Sequence, residues 1–172
     1  MITPPALPFE YHRIAEQVLA ELKGVRYLHR GLDPARGLDC RGHIYTFYRL
    51  LGLPMYIPPE GKHYPPDFWR NGVGFTYMNA LIEQFQWIPA RSAQFSDLVV
   101  FESKSGTGKI CHTGIMLDVT SGEFQHAVRN RRVGVGRTDE RFWQQRVAGF
   151  MRHRRMGVLV ENAKQMPREV KV

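Results

Sequence analysis

The stretch Gly37-Leu38-Asp39-Cys40-Arg41-Gly42-His43-Ile44-Tyr45-Thr46-Phe47-Tyr48-Arg49-Leu50-Leu51-Gly52 decides the fold. Residues 27–39 ahead of the cysteine are rich in Gly, Asp and Pro and read as a turn. From Cys40 onward Ile44, Phe47, Tyr48 and Leu51 share one helical face, until Gly52 and Pro54 stop the pattern. A cysteine is therefore expected to open a helix. Backbone N–H groups at a helix start lack intrahelical partners and carry partial positive charge, which favours a thiolate there.

Working outward, residues 9–23 place Ile14, Val18, Leu19 and Leu22 at helical spacing ahead of Gly24, which predicts an amphipathic helix. Residues 55–74 carry four prolines and two tyrosines, as an inserted surface loop would. Residues 75–87 read as a further helix. Short strands are expected at Leu98–Glu102, Ile110–Leu117, Gly122–Ala127, Arg132–Val135 and Arg146–Met151, separated by Gly- or Ser-bearing turns. Helices followed by an antiparallel meander make an α+β domain over residues 1–157, and 158–172 read as a frayed or partner-bound tail.

The 172 residues suit one domain with a real core. No apolar run approaches the roughly 20 residues of a membrane span. Residues 1–8 lack the basic start, apolar stretch and small-residue cleavage site of a secretory signal, so the expectation is synthesis in the cytoplasm without signal-directed export. A net charge of +8, with many arginines between 129 and 155, attracts polyanions. Those arginines lack the stacking aromatics of a nucleic-acid module, so no specific nucleic-acid partner is expected. Cys40 and Cys111 are the two cysteines, too few for a disulfide scaffold and without metal-ligand spacing. No metal or other cofactor is expected.

A thiolate used for acyl transfer needs an imidazole as proton acceptor and donor, oriented by a third polar group. Of the seven histidines, His112 and His126 lie on neighbouring strand candidates joined by the turn 118–122. A hairpin there brings both to one face. A lone cysteine is more often a small buried hydrophobe, and a lone strand histidine more often structural. Together they form a catalytic pattern. Cys111 precedes His112 and should face the opposite way, into the core.

The blocks around these residues resemble the NlpC/P60 family. Tyr27-Leu28-His29-Arg30-Gly31 with Gly37-Leu38-Asp39-Cys40-Arg41-Gly42 is similar to its Tyr-bearing strand and DC-turn. Gln94-Phe95-Ser96-Asp97-Leu98-Val99-Val100-Phe101 is similar to its PGDLVFF strand, with Ser96 where the family has Gly. Cys111-His112-Thr113-Gly114-Ile115-Met116-Leu117 and Phe124-Gln125-His126-Ala127 are similar to its two histidine strands. The ending from Phe142 to Arg152 resembles phage-associated members.

The resemblance implies a papain-like fold with Cys40 as nucleophile, His112 as general base and acid, and His126 orienting it. It implies that Tyr27 flanks the site and that Asp39 contacts a substrate amine. It also implies hydrolysis of peptidoglycan stem peptides between D-glutamate and the diamino acid, with phage tail-tip proteins as partners and the cell wall as the place of action, reached in a virion or after lysis. Arg41 stands where wall-recycling members carry Ser, and a cation there favours a substrate carboxylate over an ammonium. Two other readings share these residues: a structural tail protein with little activity, and an acyltransferase or amidase on another substrate.

Overall fold

The computed structural model describes residues 5–56, 83–103 and 110–165. Helix α1 (Phe9–Leu22) buries Tyr11, Ala15, Val18, Leu19 and Leu22, the face its spacing predicts. A small ladder of β1 (Leu32–Asp33) and β2 (Gly37–Leu38) then leads directly into α2 (Cys40–Leu50). The remaining strands are β3 (Phe85–Ile88), β4 (Leu98–Glu102), β5 (Ile110–Asp118), β6 (Glu123–His126), β7 (Gly134–Arg137) and β8 (Val147–His153). They form one antiparallel sheet in the order β3-β8-β4-β5-β6-β7. A short helix, α3 (Arg141–Gln144), precedes β8, and α4 (Met156–Gln165) follows it.

Alternation along the strands divides the core in two. Leu98, Val100, Ile115 and Met151 face the layer of α1, α2 and α4, packing with Leu19, Ile44, Phe47, Tyr48 and Leu159. Val99, Phe101, Met116 and Phe124 point to the other face, where Trp143 of α3 covers them.

The structure departs from the sequence expectations in four places. Of the helix expected at 75–87, residues 83 and 84 are helical and 75–82 lie outside the described residues, whereas Phe85–Ile88 is a strand because hydrogen bonding along β8 outweighs the local helical period. All but residues 55 and 56 of the proline-rich insertion 55–74 lie outside them too. The strand expected at Arg132–Val135 runs instead over Gly134–Arg137. Val133 donates its N–H to Val25 O (2.7 Å) and Arg131 accepts from Tyr27 (3.0 Å), so that part is claimed by another segment. The tail starts within α4, and Leu159 is fully buried. Cys111 is half-buried rather than core, and its Sγ accepts a hydrogen bond from the Arg146 guanidinium at 3.1 Å.

A buried ion pair ties β8 to the turn before β4. Arg152 donates to both oxygens of Asp97 (2.7 and 2.6 Å) and to Ser92 O (2.7 Å). Ser96, next to Asp97, sits at φ 71°, a left-handed conformation that costs a side-chain-bearing residue about 1–2 kcal/mol. Its hydroxyl is buried with no hydrogen-bond partner among the described residues. Ser96→Gly removes both penalties against a glycine entropy cost of about 0.5–1 kcal/mol, so a rise in melting temperature of a few degrees is expected. A lower melting temperature by calorimetry would contradict this reading of the turn. Arg152→Met, which leaves Asp97 buried and unpaired, should cost about 3–5 kcal/mol in denaturant titration; a loss below 1 kcal/mol would contradict it.

Candidate active site

Cys40 is the first residue of α2 and is 9% exposed. Asp39 caps the helix, as its side-chain type predicts: Oδ1 accepts from Gly42 N–H (2.8 Å) and Oδ2 from Arg30 N–H (2.9 Å). A Cβ on residue 42 would collide with the carbonyl of Gly31, so glycine there lets the helix start press against the turn. Asp39 is thus a buried structural cap, and both of its oxygens hold backbone. Arg41 is buried as well, rather than presented on the surface.

The β5–β6 hairpin brings the two histidines together, with His112 Nε2 2.9 Å from His126 Nδ1. His112 stacks on Trp143 at 5.2 Å between ring centroids, and His126 meets the same indole edge-on at 5.0 Å. One nitrogen of the pair must donate. For His112 to offer Nδ1 as a base, its Nε2–H donates to His126, which then carries its own proton on Nε2.

Residues 131–133 follow β6 just beyond His126. Backbone bonds from Gly24, Tyr27 and Val133 fasten them to the segment that leads into Cys40. Tyr27 pairs with Leu38 there, and its hydroxyl is raised in pKa by burial and then by the nearby Cys40 and Asp39, against Arg129. The structure therefore gathers Tyr27, Asp39 and Cys40 beside one another, and His43, one turn into α2, bears electrostatically on the His112–His126 pair.

Sequence reasoning missed His43 and Gln125. Gln125 Nε2 donates to Leu19 O at 2.8 Å, so its Oε1 must accept from His43 Nε2, also at 2.8 Å. One carboxamide thus links α1, α2 and β6. His43 lies one turn after Cys40, and Gln125 adjoins His126. The available signal was a histidine inside the apolar face of a helix, a position that demands a partner. Trp143 was also missed as a site neighbour, although it falls within the ending that resembles phage-associated members.

Burial keeps these imidazoles neutral. His43 is lowered to about 4 by desolvation. His126 is lowered to about 4 by desolvation, then by His43 and Arg131. His112 falls well below the usual histidine range through desolvation, then His126, Arg146 and His43. His153, whose Nε2 faces Pro54 O and whose Nδ1 accepts from Arg155 N–H, is lowered to about 4 by desolvation. Among the described residues no cluster of three or more His, Cys, Asp or Glu is placed to hold a metal ion. None of the helices there is long and apolar enough to cross a membrane.

These shifts have a definite sign. A histidine lowered on folding binds its proton in the unfolded chain first, so its contribution is complete above about 6.5 and is lost as pH falls toward 4. Each such group adds a slope of up to about 1.4 kcal/mol per pH unit in that window. Denaturant titrations at pH 7 and pH 5 should show clearly lower stability at pH 5; equal stabilities would contradict the neutral, buried assignment.

Comparison with known proteins gives a consistent result. The chain is 26% identical over 140 residues to a protein of Bacillus subtilis (strain 168) named gamma-DL-glutamyl hydrolase; the match takes in 81% of this chain but only 29% of that protein's length. A Staphylococcus aureus structure, described as similar to lipoprotein of the NLP/P60 family, superposes with a TM-score of 0.65. It is 21% identical, over 89% of this chain and 44% of its own. A Bacillus cereus NlpC/P60 family structure superposes at 0.59 with 22% identity, over 88% of this chain and 41% of its own. At these identities the two structures establish the fold. Residues 24–152, from the segment that positions Tyr27 to the arginine that holds Asp97, match the NlpC/P60 family profile, and the chain belongs to that family.

Proposed function

We propose that this chain is a cysteine peptidase that hydrolyses an amide bond in peptidoglycan stem peptides, between D-glutamate and the diamino acid. The observations that support the reading are the His112–His126 pair at 2.9 Å and Cys40 as the first residue of α2. Family membership and the glutamyl-hydrolase name of the Bacillus subtilis relative support the type of bond.

In this reading His112 Nδ1 takes the thiol proton and the Cys40 sulfur attacks the acyl carbon. The oxyanion forms against the Cys40 backbone N–H at the positive end of α2. His112 then protonates the leaving amine as the C–N bond breaks, which leaves a thioester. Water, deprotonated by His112, attacks that thioester and releases the acid and the thiol. His126 accepts from His112 Nε2–H and fixes its tautomer. Tyr27 flanks the acyl group. Asp39 acts on the substrate amine through the remaining lone pairs of a carboxylate that also caps the helix, and Arg41 favours a carboxylate-bearing substrate. The proposed setting is a phage tail tip or prophage product acting at the cell wall, on the strength of the ending from Phe142 to Arg152.

A second reading, a tail structural protein with little activity, draws on Asp39 and Arg41: one has both oxygens on backbone and the other is buried beside the nucleophile. Mass spectrometry of muropeptides after digestion separates the two. Wild-type protein should yield fragments cut after D-glutamate, and Cys40→Ala should lose the activity by at least about a thousandfold. Unchanged digestion by Cys40→Ala would remove Cys40 from the mechanism. No digestion by the wild type, alongside active acyl transfer to or from lipid, would redirect the chemistry to another acyl group.

A further inference from the structure

Two segments far apart in sequence meet beside the site, and each is rich in arginine. Arg26, Arg30 and Arg36 come from the chain ahead of α2, and Arg129, Arg131 and Arg132 from the turn after β6. All six are exposed. Arg26 and Arg132 stand directly opposite each other in an antiparallel bridge. Like charges in that position repel. Each is held by a backbone carbonyl: Arg26 Nε donates to Arg36 O (2.6 Å) and Arg132 Nη1 to Gly24 O (2.8 Å). The turns that present the others are tight, with Arg30 at φ 61° and Asn130 at φ 63°, and Arg131 N–H bonded to Val128 O at 3.0 Å.

The two segments themselves carry few acidic residues. In residues 24–39 and 127–133 the carboxylates are Asp33, which accepts from Ala35 N–H, and the buried cap Asp39. The arginines reach the site electrostatically: the charge of Arg129 bears on the Tyr27 hydroxyl and that of Arg131 on the His126 imidazole.

We propose that this arginine rim is a substrate subsite for free carboxylates flanking the scissile bond, so that the protein selects acidic, unamidated γ-glutamyl peptides over their α-carboxamide forms. The proposal rests on the reading of Cys40 as the nucleophile of a glutamyl peptidase. Guanidinium groups pair with carboxylates through two parallel hydrogen bonds, and several such groups on separate turns match charges spaced along a peptide. A γ-linked glutamyl peptide offers such charges, because each γ-linkage leaves an α-carboxylate free. A nucleic acid is the less suitable occupant, since residues 24–39 and 127–133 present no exposed aromatic ring on which bases would stack.

The test measures binding separately from hydrolysis. Cys40→Ala protein is titrated calorimetrically at low salt with a γ-glutamyl stem peptide carrying free α-carboxylates, and with its α-carboxamide counterpart. The acid peptide should bind about tenfold more tightly, and salt should erode the difference. Arg129→Gln with Arg131→Gln should bring the two peptides to similar affinity, whereas Lys at both positions should keep much of the preference. Equal binding of the two peptides by the parent protein, or binding of neither, would overturn the proposal. So would a preference that survives the Gln pair, or tighter binding of a DNA duplex than of the acid peptide. Absence of hydrolysis by the wild type alongside an intact acid preference would count against Cys40 chemistry and leave the rim standing.

Discussion

The Gln125 carboxamide is the joint on which this architecture turns. It accepts from His43 on α2 and donates to the Leu19 carbonyl on α1, all within the buried layer between helices and sheet. Packing alone sets α2 on the sheet only loosely, because apolar contacts tolerate sliding. A buried hydrogen bond does not, since breaking it strands polar groups at about 1–3 kcal/mol each. The joint adjoins both parts of the site: Cys40 is one turn before His43, and His126 is the residue after Gln125.

Burial does two jobs at that end of the molecule. It stabilises the fold through the apolar clusters, and it depresses the histidines so that they stand neutral near pH 7. A neutral imidazole is what a general base must be. Trp143, stacked on His112, removes water from one side of the ring and so ties the second core cluster to the chemistry. Charge repelled from this interior gathers at the surface just outside it, on the turns that carry Arg129 and Arg131.

Much of this was legible in the sequence because it is local. The apolar period after Cys40 marked α2, and its start holds to the residue. The turn between His112 and His126 foretold the hairpin that joins them. What was not legible depends on distant partners. Phe85–Ile88 becomes a strand only because β8 lies beside it, and β7 starts two residues late because Val25 and Tyr27 take the backbone of 131–133. Leu159 is core only once α4 folds back against the helical layer. The arginine rim is invisible for the same reason: its halves are a hundred residues apart in sequence. Asp39 and Arg41 were read by residue type; that Asp39 also caps α2 and that Arg41 is buried depend on the turn folded against the helix start.

A Cys40–His112 pair that works as one unit raises the reactivity of the thiol. The rate of iodoacetamide alkylation at Cys40, followed by peptide mass spectrometry at neutral pH, tests it with no assumption about substrate. Cys40 should react faster than Cys111, and His112→Ala should slow Cys40 about tenfold or more while the protein stays folded. Equal rates for Cys40 in the wild type and in His112→Ala would contradict it.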